Sequence, residues 1–220
     1  MTFSICATDK GAYGVAIATY AIAVGSTAPF VCPHGAVCTQ AMTNTPIGVH
    51  TVNALQNDEK IDSVVSQLLA ADEHRNLRQV HGIDQHGTTV TKTGTECIEY
   101  AGDRTSENYT IAGNMLTGEC VLEAVEDKFR EQTGKPLIER LLAALNAGEK
   151  AGGDKRGPNA QSAAVAVYDP DHPRIEHDLR VDEHTDAVTE LIRIYNVAAT
   201  EGESWMDEYP ELDLQRHPHR

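Results

Sequence analysis

The second residue of the chain is a threonine, directly behind the initiator methionine and at the head of the apolar run MTFSICATD. A residue this small is a usual substrate context for methionine aminopeptidase, whose action would leave Thr2 carrying both a hydroxyl and a free α-amine. A threonine hydroxyl must lose its proton as it attacks, so an enzyme has to place a base beside it. An α-amine with a pKa of about 7.7 to 8.0 keeps a useful neutral fraction near pH 7, whereas a lysine at about 10.4 does not. Thr2 can thus supply nucleophile and base together, directly or through one water. Because side chains alternate along a strand, Ile5 and Ala7 are expected to face a sheet interface, with Thr2 and Ser4 pointing the other way.

Three other stretches carry groups that such a nucleophile needs. In AGNML, a strand leads through Gly113 and Asn114 toward a helix, where a backbone N–H and a side-chain amide can face a developing oxyanion. Asn114 can equally close a turn by bonding its own backbone. In TQAMTN, Gln40 and Asn44 lie at the end of an apolar strand, placed either to bind substrate or to anchor the loop around Pro46 and Gly48. In GGDKRGPNAQSAA, Asp154 can hold the Thr2 amine, Arg156 can take a substrate carboxylate through two parallel N–H donors, and Ser162 adds a hydroxyl. Asp154 and Arg156 can also be an ion pair that fixes the loop.

Other chemistries find weaker footing. Cys32 and Cys38 bracket His34 in CPHGAVC, but no second close Cys or His pair completes a zinc set, so no metal is expected. His172, His177 and His184 fit neither HExxH nor one helical face and are expected on exposed loops and strands. Cys6, inside an apolar strand, reads as a buried, inert thiol. Neither GxGxxG nor GxxxxGK[ST] occurs, and no organic cofactor is expected.

The whole chain must position these groups. Its 220 residues, 40% of them hydrophobic, suffice for one sizeable core. No run is long and apolar enough to span a bilayer, and the first residues lack the order of a signal peptide, which predicts a cytoplasmic protein without a membrane partner. A net charge of −15 repels phosphate backbones and argues against nucleic acid. Five dispersed cysteines, an odd number, suit free thiols in a reducing compartment.

Along the sequence, residues 3–9 and 14–24 read as two strands joined through KGAY, and GAVCTQAMTN as a third strand after a loop, APFVCPHG. Helical spacing follows through Val52, Leu55, Val64, Val65, Leu68 and Leu69, broken at Asn57 and Asp58. RQVHGID and TTVTKTG flank a turn at QHG, and CIEYAG and ENYTIAGNML follow as strands. Helices are predicted at about 119–132 and 136–150, with Pro136 at the start of the second and Leu141, Leu142 and Leu145 buried. AQSAAVAVYD and RIEHDLRVD read as strands and TDAVTELIRIYNVAAT as a helix capped by Thr185. Such segregated blocks suit an α+β fold in which two antiparallel sheets pack face to face under outer helices. Residues 201–220 differ in character, an acidic tail with enough apolar content (Trp205, Tyr209, Leu212, Leu214) to pack on its own domain or across a homo-oligomer.

The stretches TFSICATDKGAYGVAIATYAIAVG, GAVCTQAMTN, RQVHGID, KTGTECIEYAG, AGNML, GGDKRGPNAQSAA and DLRVDEH, taken in order, resemble the bacterial and archaeal DUF1028 family from Thr2 to about Tyr195. That resemblance implies the N-terminal-nucleophile (Ntn) hydrolase-like fold, a four-layer αββα sandwich, over residues 1–200. The lysine that proteasome-like Ntn enzymes carry at the end of the third strand has no obvious counterpart here, so their proton handling does not transfer. The expectation is an amide-bond hydrolase of small molecules or short peptides with Thr2, Asn114 and Asp154 catalytic and Gln40, Asn44, Arg156 and Ser162 binding substrate. Its rival is a ligand-binding or scaffold protein that keeps the sandwich without the chemistry.

Overall fold

A computed structural model describes residues 2–171 and 174–201. Its first strand, β1 (Thr2–Asp9), folds back on β2 (Ala12–Thr19) through Lys10 and Gly11, whose φ angles of 50° and 87° are the positive pair a two-residue hairpin turn requires. β1 then pairs on its other side with β8 (Tyr109–Asn114), which pairs with β7 (Gly102–Thr105). β2 pairs with β9 (Ser162–Asp169), and β9 with β10 (Arg174–Val181). All pairings are antiparallel, giving a six-stranded sheet in the order β10-β9-β2-β1-β8-β7. A second, four-stranded antiparallel sheet runs β3 (Pro29–Cys32), β4 (Gly35–Ala41), β5 (Arg78–Asp84), β6 (Thr89–Thr93).

Helices α1 (Thr45–Leu55) and α2 (Ile61–Ala71) cover the smaller sheet, while α3 (Cys120–Glu131), α4 (Leu137–Lys150) and α5 (Ala187–Glu201) cover the larger. The result is a four-layer αββα sandwich. Three apolar layers hold it together. Phe3, Ile5, Ala7 and Ile111 meet Phe129, Leu141 and Leu145 beneath α3 and α4. Val15, Ile17, Cys38 and Ile83 fill the space between the sheets, and Val37, Leu55, Ile61 and Val65 close the smaller sheet against its helices.

Several local expectations change. Ile5 and Ala7 face the helices rather than the other sheet, so it is Ser4 and Cys6 that enter the sheet–sheet space. Strand alternation holds, but the Ala/Gly-rich large sheet is covered on both sides, so apolarity alone cannot tell its faces apart. Part of the APFVCPHG loop is strand β3, which admits Pro29 because it sits at the first position of an edge strand. The strand expected at CIEYAG begins only at Gly102. Asp186, not Thr185, caps α5, its Oδ1 accepting the Thr189 N–H at 3.2 Å. His177 is buried rather than exposed, since strand parity puts it with Leu179 and Val181 against α5, edge-on to Tyr195 at 5.8 Å. His184 is exposed, and His172 lies outside the described residues, as do Met1 and the tail beyond residue 201. No helix among the described residues is long and apolar enough to cross a membrane.

Candidate functional site

Thr2 opens β1, a central strand of the larger sheet, and strand register sets its neighbours. Asn114 at the end of β8 is its cross-strand partner, Thr19 at the end of β2 lies 3.3 Å away hydroxyl to hydroxyl, and Ser162 at the start of β9 pairs with Thr19. Four polar side chains from four adjacent strands thus form one row at an end of the sheet, on the face turned toward the other sheet. Thr2 is 6% exposed and Asn114 2%, so the row is recessed.

Behind the row, the sheet–sheet space is polar where the rest of it is apolar. The Asn114 amide donates to Gln79 Oε1 at 3.0 Å, and Gln40 donates to the same oxygen at 2.8 Å. Gln79 in turn donates to the Gly113 carbonyl at 2.8 Å and to Thr93 Oγ1 at 3.0 Å, which ties the end of β8 to the smaller sheet. Deeper in, Ser4 Oγ donates to Gln40 Oε1 at 2.7 Å and lies 2.7 Å from His81 Nε2, while His81 Nδ1 lies 2.9 Å from Thr110 Oγ1. Ser4, Gln40, Gln79, His81 and Thr110 are all fully buried. Burial lowers the His81 pKa to about 3, with a backbone contact to Thr110 opposing it, so the imidazole is neutral at ordinary pH. Every member is therefore uncharged, and a connected, uncharged network can be buried at modest cost.

The Gly-rich loop before β9 reaches the same end of the sheet. The fully buried Asp154 carboxylate accepts the Tyr20 N–H at 2.7 Å and the Arg156 N–H at 2.9 Å, and pairs with Arg156 Nη2 at 3.0 Å. Tyr20 directly follows Thr19, so Asp154 fixes the chain one residue beyond the polar row. The loop can lie this close only because residue 157 is glycine: a Cβ there would meet the Tyr20 ring at 2.1 Å. Ser162 serves the neighbouring turn, donating to the Ala21 carbonyl at 2.6 Å and accepting the Val24 N–H at 3.1 Å.

Beside Asn114 opens a mostly apolar pocket of about 160 Å³, lined by Ala41, Met42, Leu77, Cys97, Ile98 and Met115 together with Glu96 and Asn114. Two of these residues, Ala41 (φ 68°) and Met115 (φ 56°), adopt the left-handed conformation at the ends of β4 and β8. For non-glycine residues that conformation costs roughly 1–2 kcal/mol each and tends to concentrate at working sites. Burial raises the pKa of the Cys97 thiol.

Of the residues singled out from sequence, Thr2, Asn114, Gln40, Asp154, Arg156 and Ser162 converge on this end of the sandwich. Asn44 goes elsewhere, donating to Asp72 Oδ2 at 2.8 Å. Asp72 also pairs with Arg78 at 2.9 Å, which with the Asn44 bond lowers its pKa to about 2. Sequence reasoning missed Thr19, Gln79, His81 and Thr110. The period-two pattern of RQVHGID, with Gln79 and His81 on the face of Ile83, was the available signal. Among the described residues no cluster of three or more His, Cys, Asp or Glu can hold a metal, and the five thiols are free.

Comparison with known proteins fits this architecture. The crystal structure of protein SPO2555 from Silicibacter pomeroyi, itself matched to the DUF1028 family model, is 31% identical and superposes with a TM-score of 0.83 over 93% of this chain and 92% of that one. Eukaryotic HslV from Trypanosoma brucei (9% identity, TM-score 0.42, 75% of this chain and 98% of that) and Anbu from Yersinia bercovieri (12%, 0.45, 97% and 99%) also align. No curated protein matches the chain. The DUF1028 model, described as a family of unknown function, matches residues 2–191, and with the SPO2555 likeness this shows that the chain belongs to the DUF1028 family.

Proposed function

We propose that the protein hydrolyses an amide bond in a small molecule or short peptide, with Thr2 as nucleophile after Met1 removal. The observation that carries this reading is the recessed row of Asn114, Thr2, Thr19 and Ser162, with an apolar pocket beside Asn114. The Thr2 α-amine takes the hydroxyl proton, Oγ1 bonds to the substrate carbonyl carbon, and the carbonyl π pair moves onto oxygen. Asn114 uses one amide N–H for Gln79 and has a second to offer that oxyanion. Collapse expels the amine, which leaves with the proton, and water then attacks the resulting ester to free Thr2. The pocket suits a small apolar substituent of the substrate, while Asp154 and Arg156 hold the rim, with Arg156 the group suited to a substrate carboxylate.

The test is the intact mass of protein from its native host, followed by treatment with a β-lactone probe and peptide mapping. Loss of Met1 with a covalent adduct on Thr2, absent in Thr2→Ala, is the expected result. A native chain that uniformly keeps Met1 overturns the mechanism and leaves a ligand-binding protein built on the same sandwich.

A further inference from the structure

At the far end of β1 from Thr2, seven residues or about 23 Å along the strand, lies a second cleft of different character. It has a volume of about 630 Å³ and is lined by Thr105 at the end of β7, by Ser106 and Asn108 of the turn to β8, by Arg130 in the last turn of α3 and Thr133 just beyond it, and by Arg140 of α4, together with Tyr109 and Glu126. Its chemistry is set by Arg140, which is 3% exposed and stacks 4.0 Å over the Phe129 ring.

A guanidinium has five N–H donors, stays charged, and is costly to bury without acceptors. Here acceptors are few. Arg140 Nε has no partner, Nη2 reaches the Phe129 carbonyl only at 3.5 Å, and Nη1 lies 3.8 Å from Asp9 Oδ2, beyond hydrogen-bond range. Burial pushes the guanidinium pKa down and Asp9 only partly opposes this. The one carboxylate lining the cleft is already committed, since Glu126 accepts from Tyr109 Oη at 2.7 Å and from Arg104 Nη1 at 2.9 Å. Arg130 is exposed and has no ion pair among the described residues. Two guanidinium groups thus face a cleft whose other walls are hydroxyls, an amide and the already committed Glu126 carboxylate.

We infer that this cleft binds a small oxyanion, a carboxylate or a phosphate, with Arg140 as its buried anchor, Arg130 as a second cation, and Thr105, Ser106, Asn108 and Thr133 supplying neutral hydrogen bonds. The anion supplies the close hydrogen-bonded partner that the long 3.8 Å ion pair with Asp9 does not give Arg140. A chain with a net charge of −15 repels anions in general, so capture depends on this local geometry rather than on long-range attraction. The site is independent of Thr2 and of the amidase reading.

Calorimetric titration of the full chain with inorganic phosphate and with succinate, at constant ionic strength with chloride as the background anion, tests the inference. At least one anion should bind and raise Tm, Arg140→Met should weaken it by about tenfold or more, as loss of a charge-assisted hydrogen bond implies, and Thr2→Ala should leave it unchanged. Binding of phosphate alone, succinate alone or both identifies the source of the oxyanion. Should Arg140→Met fail to fold, Arg130→Gln decides, because that side chain is exposed and its removal should weaken binding severalfold without changing the melting curve of the free protein. Failure of both anions to bind, or binding that survives the loss of these arginines, overturns the site.

Discussion

The two faces of β1 solve different problems. Toward the helices it presents Phe3, Ile5 and Ala7, fully buried and apolar, in a layer closed by Phe129, Leu141 and Leu145. Toward the other sheet it presents Thr2, Ser4 and Cys6, of which the first two belong to the hydroxyl and amide groups reaching from the sandwich mouth to His81. The outer face supplies adhesion that many apolar side chains of similar volume could supply. The inner face supplies placement, because each amide and hydroxyl there is fixed by a partner on another strand.

The largest effects should come from truncating either face at its centre. Phe3→Ala should cost about 3–5 kcal/mol in urea unfolding, as expected for removing an aromatic ring from a closed core. On the inner face, Gln79→Leu keeps the volume but strands the Asn114 and Gln40 amides and the Gly113 carbonyl, and should cost about 2–4 kcal/mol. A cost below about 1 kcal/mol would mean that the network tolerates apolar replacement as readily as the outer face does. Under the amidase reading the same variant should also slow Thr2 labelling, while a folded Phe3 variant should not.

The pH dependence sharpens the contrast, since the inner network contains the fully buried His81 ring. His81 has a folded pKa of about 3 against 6.5 unfolded, so the unfolded chain binds more protons between those values. Its contribution to stability is complete above pH 6.5 and is lost as pH falls toward 3. Asp72, lowered from 3.8 to about 2, acts in the same direction but only in the lower window. Unfolding measured between pH 7 and 4 should therefore show a decline that is flattened in His81→Gln, although that variant is less stable than the wild type at pH 7.

At the rim, Asp154→Asn removes the charge that holds Arg156 yet can keep the Tyr20 N–H bond, and should cost about 1–3 kcal/mol by thermal or urea unfolding. The smallest effect is expected far from both faces. Asp186→Ala removes the α5 cap and should cost about 1 kcal/mol in the same assays.

Much of the layering was legible from sequence, because hairpin turns at KGAY and QHG, the break at Asn57 and Asp58, and the helical spacing of Leu141, Leu142 and Leu145 are local signals. The position of Thr2 at the head of a strand was also legible, since the apolar run MTFSICATD is a local signal. What lies around it was legible only in part. Asn44 and Gln40, four residues apart in one motif, diverge because the chain turns at Ala41 and carries Asn44 to Asp72. Gln79 and His81 carried only a weak signal within RQVHGID, their shared strand face with the apolar Ile83, which does not by itself say that the face is buried against a second sheet.

The sequence by itself determined the strand that Thr2 heads, the order of strands and helices, and the loop glycines, all of which rest on interactions within a few residues. Tertiary structure alone decided which face of β1 meets the other sheet, which amides orient Asn114, and that Arg140 is buried with most of its donors unmet. Those outcomes depend on register across separate strands and on the burial of charge, and neither is a property of a local stretch of chain.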